Sequence, residues 1–131
     1  MRSKIRLRWL ASPVVSLMCV AGIQAPAYAA NDVVKCNLTP SGGPHCQTGT
    51  ISPNSSGHWI RVYAVNVQYV AVRDSDTNVR VFYNAAGSVG PVAVYGLYGR
   101  YYASAARNGN SAGFVQICNY TDVHGEPCVV F

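Results

Sequence analysis

The strongest constraint on this chain lies beyond residue 32, where apolar residues recur at every second position in short runs rich in Val, Tyr, Ile and Phe. No run shows the 3.6-residue spacing of an amphipathic helix. An extended backbone sends successive side chains to opposite faces, so each run has one apolar face that must be buried against another layer. The runs cover 33–38, 46–51, 58–65, 67–73, 78–84, 91–97, 100–106, 112–120 and 127–131. The breaks between them carry turn chemistry. Asp74-Ser75-Asp76-Thr77-Asn78 suits a hairpin, because Asp and Asn accept local backbone hydrogen bonds and tolerate left-handed conformations. Gly87-Ser88-Val89-Gly90-Pro91 and Asn108-Gly109-Asn110-Ser111 serve the same purpose. Seven to nine short strands in about a hundred residues predict an all-β chain folded as a small antiparallel β-sandwich, with a small barrel as the alternative.

The first 29 residues stand apart from this pattern. Arg2, Lys4, Arg6 and Arg8 form a basic head, and the apolar run from Trp9 to Ile23 is short of the roughly 20 residues a spanning helix needs. Ala27-Tyr28-Ala29 then places small residues at the −3 and −1 positions of a signal-peptidase site. These features predict a Sec-type signal peptide of bacterial character at 1–29, cleaved after Ala29, and a single secreted domain at 30–131. Met18 precedes Cys19 where a lipoprotein signal needs a small residue, so no stable membrane anchor is expected. Cleavage removes four of the ten basic residues and leaves six against five carboxylates. Six scattered cations do not make the concentrated patch that a nucleic-acid partner requires.

An even set of four cysteines remains in the exported part: Cys36, Cys46, Cys118 and Cys128. In an oxidising compartment they read as two disulfides, of three possible connectivities. Cys36–Cys46 with Cys118–Cys128 is favoured, each pair bracketing a turn-rich stretch and facing itself across a hairpin. Zinc would want close Cys-x-x-Cys pairs, and the chain has none. Asn37, Asn54 and Asn119 each begin an N-glycosylation sequon, unmodified if the chain is bacterial.

Leu97-Tyr98-Gly99-Arg100-Tyr101 sets an apolar residue and a glycine ahead of a tyrosine that begins a strand. It is similar to the tyrosine corner of Greek-key sandwiches, in which the phenol anchors nearby backbone. The resemblance implies a sandwich of Greek-key, immunoglobulin-like type.

Few residues are equipped for catalysis. His45 sits beside Cys46 after the loop Pro40-Ser41-Gly42-Gly43-Pro44, and no Gly-x-Ser-x-Gly string occurs. Asp122, His124 and Glu126 alternate between Cys118 and Cys128, where Gly125 and Pro127 favour a solvated hairpin tip. Asp74, Asp76 and Asn78 match half a calcium loop, but Val79 and Ala85 stand where that motif wants glycine and glutamate. The expectation is a non-enzymatic protein without cofactor or metal.

Aromatic residues alternating with arginine carry the functional signal. In 58–65 the faces divide into Ile60, Val62, Ala64 and Trp59, Arg61, Tyr63; in 67–73 into Val70, Val72 and Tyr69, Ala71, Arg73; in 78–84 into Val79, Val81 and Arg80, Phe82. If these three strands are neighbours, Trp59, Arg61, Tyr63, Tyr69, Arg73, Arg80 and Phe82 form one exposed plate; otherwise Trp59 and Tyr63 fill the core. Exposed Tyr, Trp and Arg suit binding surfaces. The expected partner is an extracellular protein or glycan. The alternatives are an inhibitor of extracellular proteases or amylases that offers the 36–46 loop, and a small secreted hydrolase using His45 or His124.

Overall fold

The computed structural model describes residues 31–121. The signal segment 1–29, the strand expected at 127–131, Cys128 and the Asp122/His124/Glu126 set lie outside the described residues.

Among the described residues eight strands are present: β1 (Val33–Leu38), β2 (His45–Gln47), β3 (Ile60–Val65), β4 (Val67–Asp74), β5 (Arg80–Asn84), β6 (Val89–Val94), β7 (Tyr101–Arg107) and β8 (Gly113–Cys118). One strand falls on each of the eight alternating runs up to residue 120, but β2 is far shorter than the expected 46–51 and β6 starts at Val89, inside the stretch 87–91 expected to turn; no helix occurs among the described residues. The strands form two antiparallel four-stranded sheets, ordered β1-β8-β3-β6 and β2-β7-β4-β5. The inward side chains meet in one core. Val62, Ala64, Val115 and Ile117 of the first sheet join the same cluster as Val70, Val72, Ala103 and Ala105 of the second, all of them fully buried. Each fully buried Val or Ile contributes about 1.5–3 kcal/mol relative to exposure. The short side chains of Ala103 and Ala105 leave room on β7 for the facing layer.

The pairings β1:β8, β2:β7, β3:β6 and β4:β5 are those of one long antiparallel ribbon, rolled so that its rungs fall alternately in the two sheets. This is a jelly-roll order, built from two Greek keys. The immunoglobulin-like expectation is thereby corrected. An immunoglobulin sheet keeps several consecutive strands paired as hairpins, whereas here only β4 and β5 are consecutive partners and every other connection passes from one sheet to the other. The tightest crossing is a single residue. Asn66 lies between β3 and β4 with φ of 53°, its Nδ2 donating to the Ala112 carbonyl at 2.7 Å and its backbone N–H to Ser88 Oγ at 3.0 Å. Asn tolerates the left-handed region better than other residues with a Cβ, which lets one position turn the chain out of a sheet. Pro91 sits on β6, an edge strand, where its missing N–H breaks no inner ladder.

The Cys36–Cys46 disulfide is formed, with its Cα atoms 5.9 Å apart. The hairpin expected to hold it is not. Cys36 is on β1 and Cys46 on β2, strands of different sheets, and both side chains point inward, so the bridge joins the two layers through the core. The tyrosine corner also takes shape. Buried Tyr101 accepts hydrogen bonds at its hydroxyl from the backbone N–H groups of Tyr98 and Gly99, each 3.1 Å away.

Candidate functional site

The seven residues expected to share one plate are divided by the topology. β3 pairs with β6 and β8, whereas β4 pairs with β5 and β7, so the three strands are not neighbours. The cause is the Asn66 crossing, which sends β4 into the opposite sheet. Trp59, Arg61 and Tyr63 therefore belong to the outer side of β1-β8-β3-β6. Tyr69, Arg73 and Arg80 belong to the outer side of β2-β7-β4-β5. Phe82 belongs to neither face. In β5, Phe82 pairs with Val72 while Arg80 pairs with the next residue, Arg73, leaving Val81 as the extra residue of a β-bulge. The extra residue inverts the alternation, so Phe82 follows Val72 inward and packs against the core.

On the first face, Trp59, Arg61 and Tyr63 are half-buried. The Arg61 guanidinium lies 5.3 Å from the Trp59 ring centre, and its Nε is buried without a hydrogen-bond partner. The Tyr63 ring meets Phe114 edge-on at 5.3 Å, and Lys35 Nζ lies 4.3 Å from the other ring contact point, the Phe114 centroid. Beside Phe114, the ends of β1 and β8 leave an open groove of about 460 Å³ lined by Asn37, Leu38, Thr39, Val65, Ala112 and Gly113.

On the second face, the register places short side chains in the middle of the sheet. Ala106 lies between His45 of β2 and Tyr69 of β4. Ser104 lies beside Ala71, which in turn pairs with Tyr83 of β5. Tyr102 then pairs with Arg73, and Arg73 with Arg80. Around the Ala and Ser positions the rings form a chain. Tyr69 Oη is 3.4 Å from His45 Nδ1, Tyr69 and Tyr83 stack at 6.0 Å with 27° between their planes, and the Arg80 guanidinium lies 4.7 Å from the Tyr83 ring centre. Tyr83 is 50% exposed, and Tyr69, Tyr102 and Arg73 are half-buried.

The β4–β5 turn holds the arginine end of this face. Asp74 Oδ1 accepts from the backbone N–H groups of Asp76 and Thr77 at 2.8 and 3.0 Å, an arrangement that uses the carboxylate to close a hairpin turn. These two donors, Thr77 first, hold the Asp74 carboxyl below the usual aspartate range. Arg73 Nη1 donates to the Asn78 carbonyl at 3.1 Å, and Tyr102 Oη donates to Asn78 Oδ1 at 3.2 Å. Among the described residues no group of three His, Cys, Asp or Glu side chains gathers where a metal would bind.

His45, Tyr83 and Tyr102 are members of the face that the plate of seven omitted. Two of them follow from alternation alone, since His45 precedes inward Cys46 and Tyr102 follows inward Tyr101. Tyr83 depends on the Val81 bulge, which leaves no mark in a single sequence. A separate aromatic pair occupies one end of the sandwich, where His58, with φ of 51°, stacks on the 79%-exposed Tyr98 at 4.4 Å. No family model, no curated protein and no solved structure matches this chain.

Proposed function

We propose that this protein is exported from a bacterial cell by a signal peptide cleaved near Ala29, and that it acts outside as a non-enzymatic protein binding an extracellular protein or glycan. The binding surface is the outer side of β2-β7-β4-β5. What supports this reading is one arrangement: the stacked Tyr69 and Tyr83 rings, capped by Arg80, stand beside the short Ala71, Ser104 and Ala106 side chains in the middle of a sheet. Tyrosines offer large, rigid, amphipathic contact area, the kind favoured at binding surfaces, and Tyr83 is 50% exposed. The Cys36–Cys46 disulfide supports an oxidising compartment. The reading includes a second disulfide, Cys118–Cys128, which peptide mapping of the unreduced protein tests.

The test is retention of the labelled, purified protein on extracellular matrix and cell-wall preparations, comparing wild type with Tyr69→Ala/Tyr83→Ala. Retention that falls at least tenfold in the variant while the melting temperature holds is the expected result. Retention unchanged by the double replacement moves the site elsewhere.

The inhibitor reading keeps one specific observation in its favour. Arg107 Nη1 donates to the carbonyls of Thr39, Pro40 and Gly42 at 2.9–3.0 Å, and the Arg107 backbone N–H donates to the Pro44 carbonyl at 2.7 Å. The exposed 39–44 loop is thereby pinned from inside and closed by the disulfide, the preorganisation a protease- or amylase-blocking loop needs. Near-stoichiometric loss of hydrolase activity on adding the protein, reversed by Arg107→Ala, would establish it in place of the first.

A further inference from the structure

Arg73 and Arg80 are direct partners across β4 and β5, a placement in which like charges repel. Neither is neutralised within the described residues. Arg73 spends one guanidinium nitrogen on the Asn78 carbonyl, and Arg80 lies over the Tyr83 ring. Two carboxylates of the β4–β5 turn, Asp74 and Asp76, lie close in sequence and carry negative charge, but Asp74 Oδ1 is turned to the N–H groups of its own turn and neither forms a salt bridge with an arginine among the described residues. The sheet thus holds two adjacent cations at one end of an aromatic row, neither of them in direct contact with a carboxylate among the described residues.

We infer that the ligand of this face is an anionic polysaccharide, its sugar rings lying on Tyr69 and Tyr83 and its carboxylate or sulfate groups received by Arg80 and Arg73. This rests on the binding function proposed for the face and names the class of ligand. The two halves of the site divide the recognition. A pyranose ring presents a flat array of C–H bonds that suits the face of a tyrosine, and its hydroxyls remain free for Ser104, His45 and water. The guanidinium fork matches a carboxylate or sulfate in geometry and charge, and stacking on Tyr83 holds the Arg80 fork in place before the ligand arrives. The charge count argues against a nucleic acid. A phosphate backbone demands a long run of basic contacts, whereas the face offers two arginines in one row.

The experiment is affinity electrophoresis of the full chain through gels containing polygalacturonate, alginate or chondroitin sulfate, set against the methyl-esterified forms of the first two and the desulfated, carboxyl-methylated form of the third. Single-stranded poly(dT) serves as a polyanion that lacks pyranose rings. We expect retardation by at least one acidic polymer, at least tenfold weaker on its uncharged form. Arg80→Gln should lose at least tenfold on the acidic polymer and leave the residual binding to the uncharged form unchanged, while Tyr83→Ala weakens both. Equal retardation by charged and uncharged forms, lost in Tyr83→Ala, overturns the anionic assignment and leaves the binding face standing. Retardation by none of the acidic polymers also overturns it, and the matrix-retention assay then decides the binding reading separately. Retardation by poly(dT) matching the best polysaccharide overturns it, since phosphates and stacked thymines would then serve as well as acidic sugars.

Discussion

On the outer side of β1-β8-β3-β6 the middle of the sheet is filled by long side chains, with Gln116 only 1% exposed and the Tyr63, Phe114 and Lys35 groups lying against one another. On the outer side of β2-β7-β4-β5 the corresponding positions are Ala71, Ser104 and Ala106, and the long groups stand around them. Both faces use tyrosine and basic residues, and both place a cation over a ring. What separates them is the length of the central side chain. A long centre packs the rings into the face, while over the short, buried Ala71 and Ala106 the rings stack on one another and Tyr83 stays 50% exposed. Composition alone does not distinguish a packed face from an available one, because the same residue types serve in both.

The largest effect should come from the Cys36–Cys46 disulfide, which joins the layers carrying these faces. Replacing Cys36 and Cys46 by Ala should cost about 2–5 kcal/mol in chemical denaturation, the usual loss for a native bridge in a small secreted domain. Because the bridge ties β1 of one sheet to β2 of the other, protection from hydrogen exchange should fall on both strands. A loss confined to one sheet would mean that the layers are held independently.

The next effect separates the faces themselves. Tyr63→Ala should cost about half the roughly 3–5 kcal/mol of a fully buried aromatic, since Tyr63 is half-buried and loses its edge contact with Phe114. Tyr83→Ala should cost less than about 1 kcal/mol, as expected of a half-exposed side chain outside the core. Equal losses at the two positions would remove the distinction between the faces.

Much of the fold was legible in the sequence because burial on one side of a strand imposes a two-residue period that survives in composition. Eight strands and the inward residues Ile60, Val62, Ala64, Val70 and Val72 follow from that period, whereas Val79 of the same alternation is 58% exposed; the Tyr101 corner follows from its resemblance, and the Cys36–Cys46 pair forms without the hairpin that predicts it. The plate of seven did not, for two local reasons. Asn66 changes sheets in one residue, and alternation reads the same whether the next strand lies beside its predecessor or beneath it. Val81 shifts the parity of β5 by one, which turns Phe82 inward and Tyr83 outward without altering the apolar character of the run.

The Asn66 crossing can be weighed directly. Asn66→Ala should cost about 1–2 kcal/mol, because a Cβ residue without a polar arm is disfavoured in the left-handed region and the bond to the Ala112 carbonyl is lost. Asn66→Gly keeps the conformation and should recover part of that loss. If Asn66→Ala proves as stable as wild type, the single-residue crossing is not a constrained feature of the fold.

The smallest effect is a pH response confined to one face. Asp74 closes the β4–β5 turn as a carboxylate, and its folded-state pKa is held below the usual aspartate value by the Thr77 and Asp76 amides. A depressed folded value contributes stability that is present above the unfolded pKa and lost as pH falls through the folded one. The loss should therefore appear only under acidic conditions, below the ordinary aspartate value of about 3.9. It should be small, since the carboxyl is open to solvent. Protonation weakens the acceptor of both amide bonds and loosens the turn that presents Asn78 to Arg73 and Tyr102. In an NMR titration the Asp74 carboxyl should show a midpoint below that value, with the Asp76 and Thr77 amides shifting in step and those of Tyr63 and Phe114 staying still. Asp74→Asn should abolish the coupled shift while leaving the neutral-pH fold intact, because an amide oxygen can still accept from the turn. A midpoint at or above the ordinary aspartate value would show that the turn does not depend on this carboxylate. Equal acid sensitivity on the Phe114 face would place the pH response in the common core and not in the turn that frames the arginine pair.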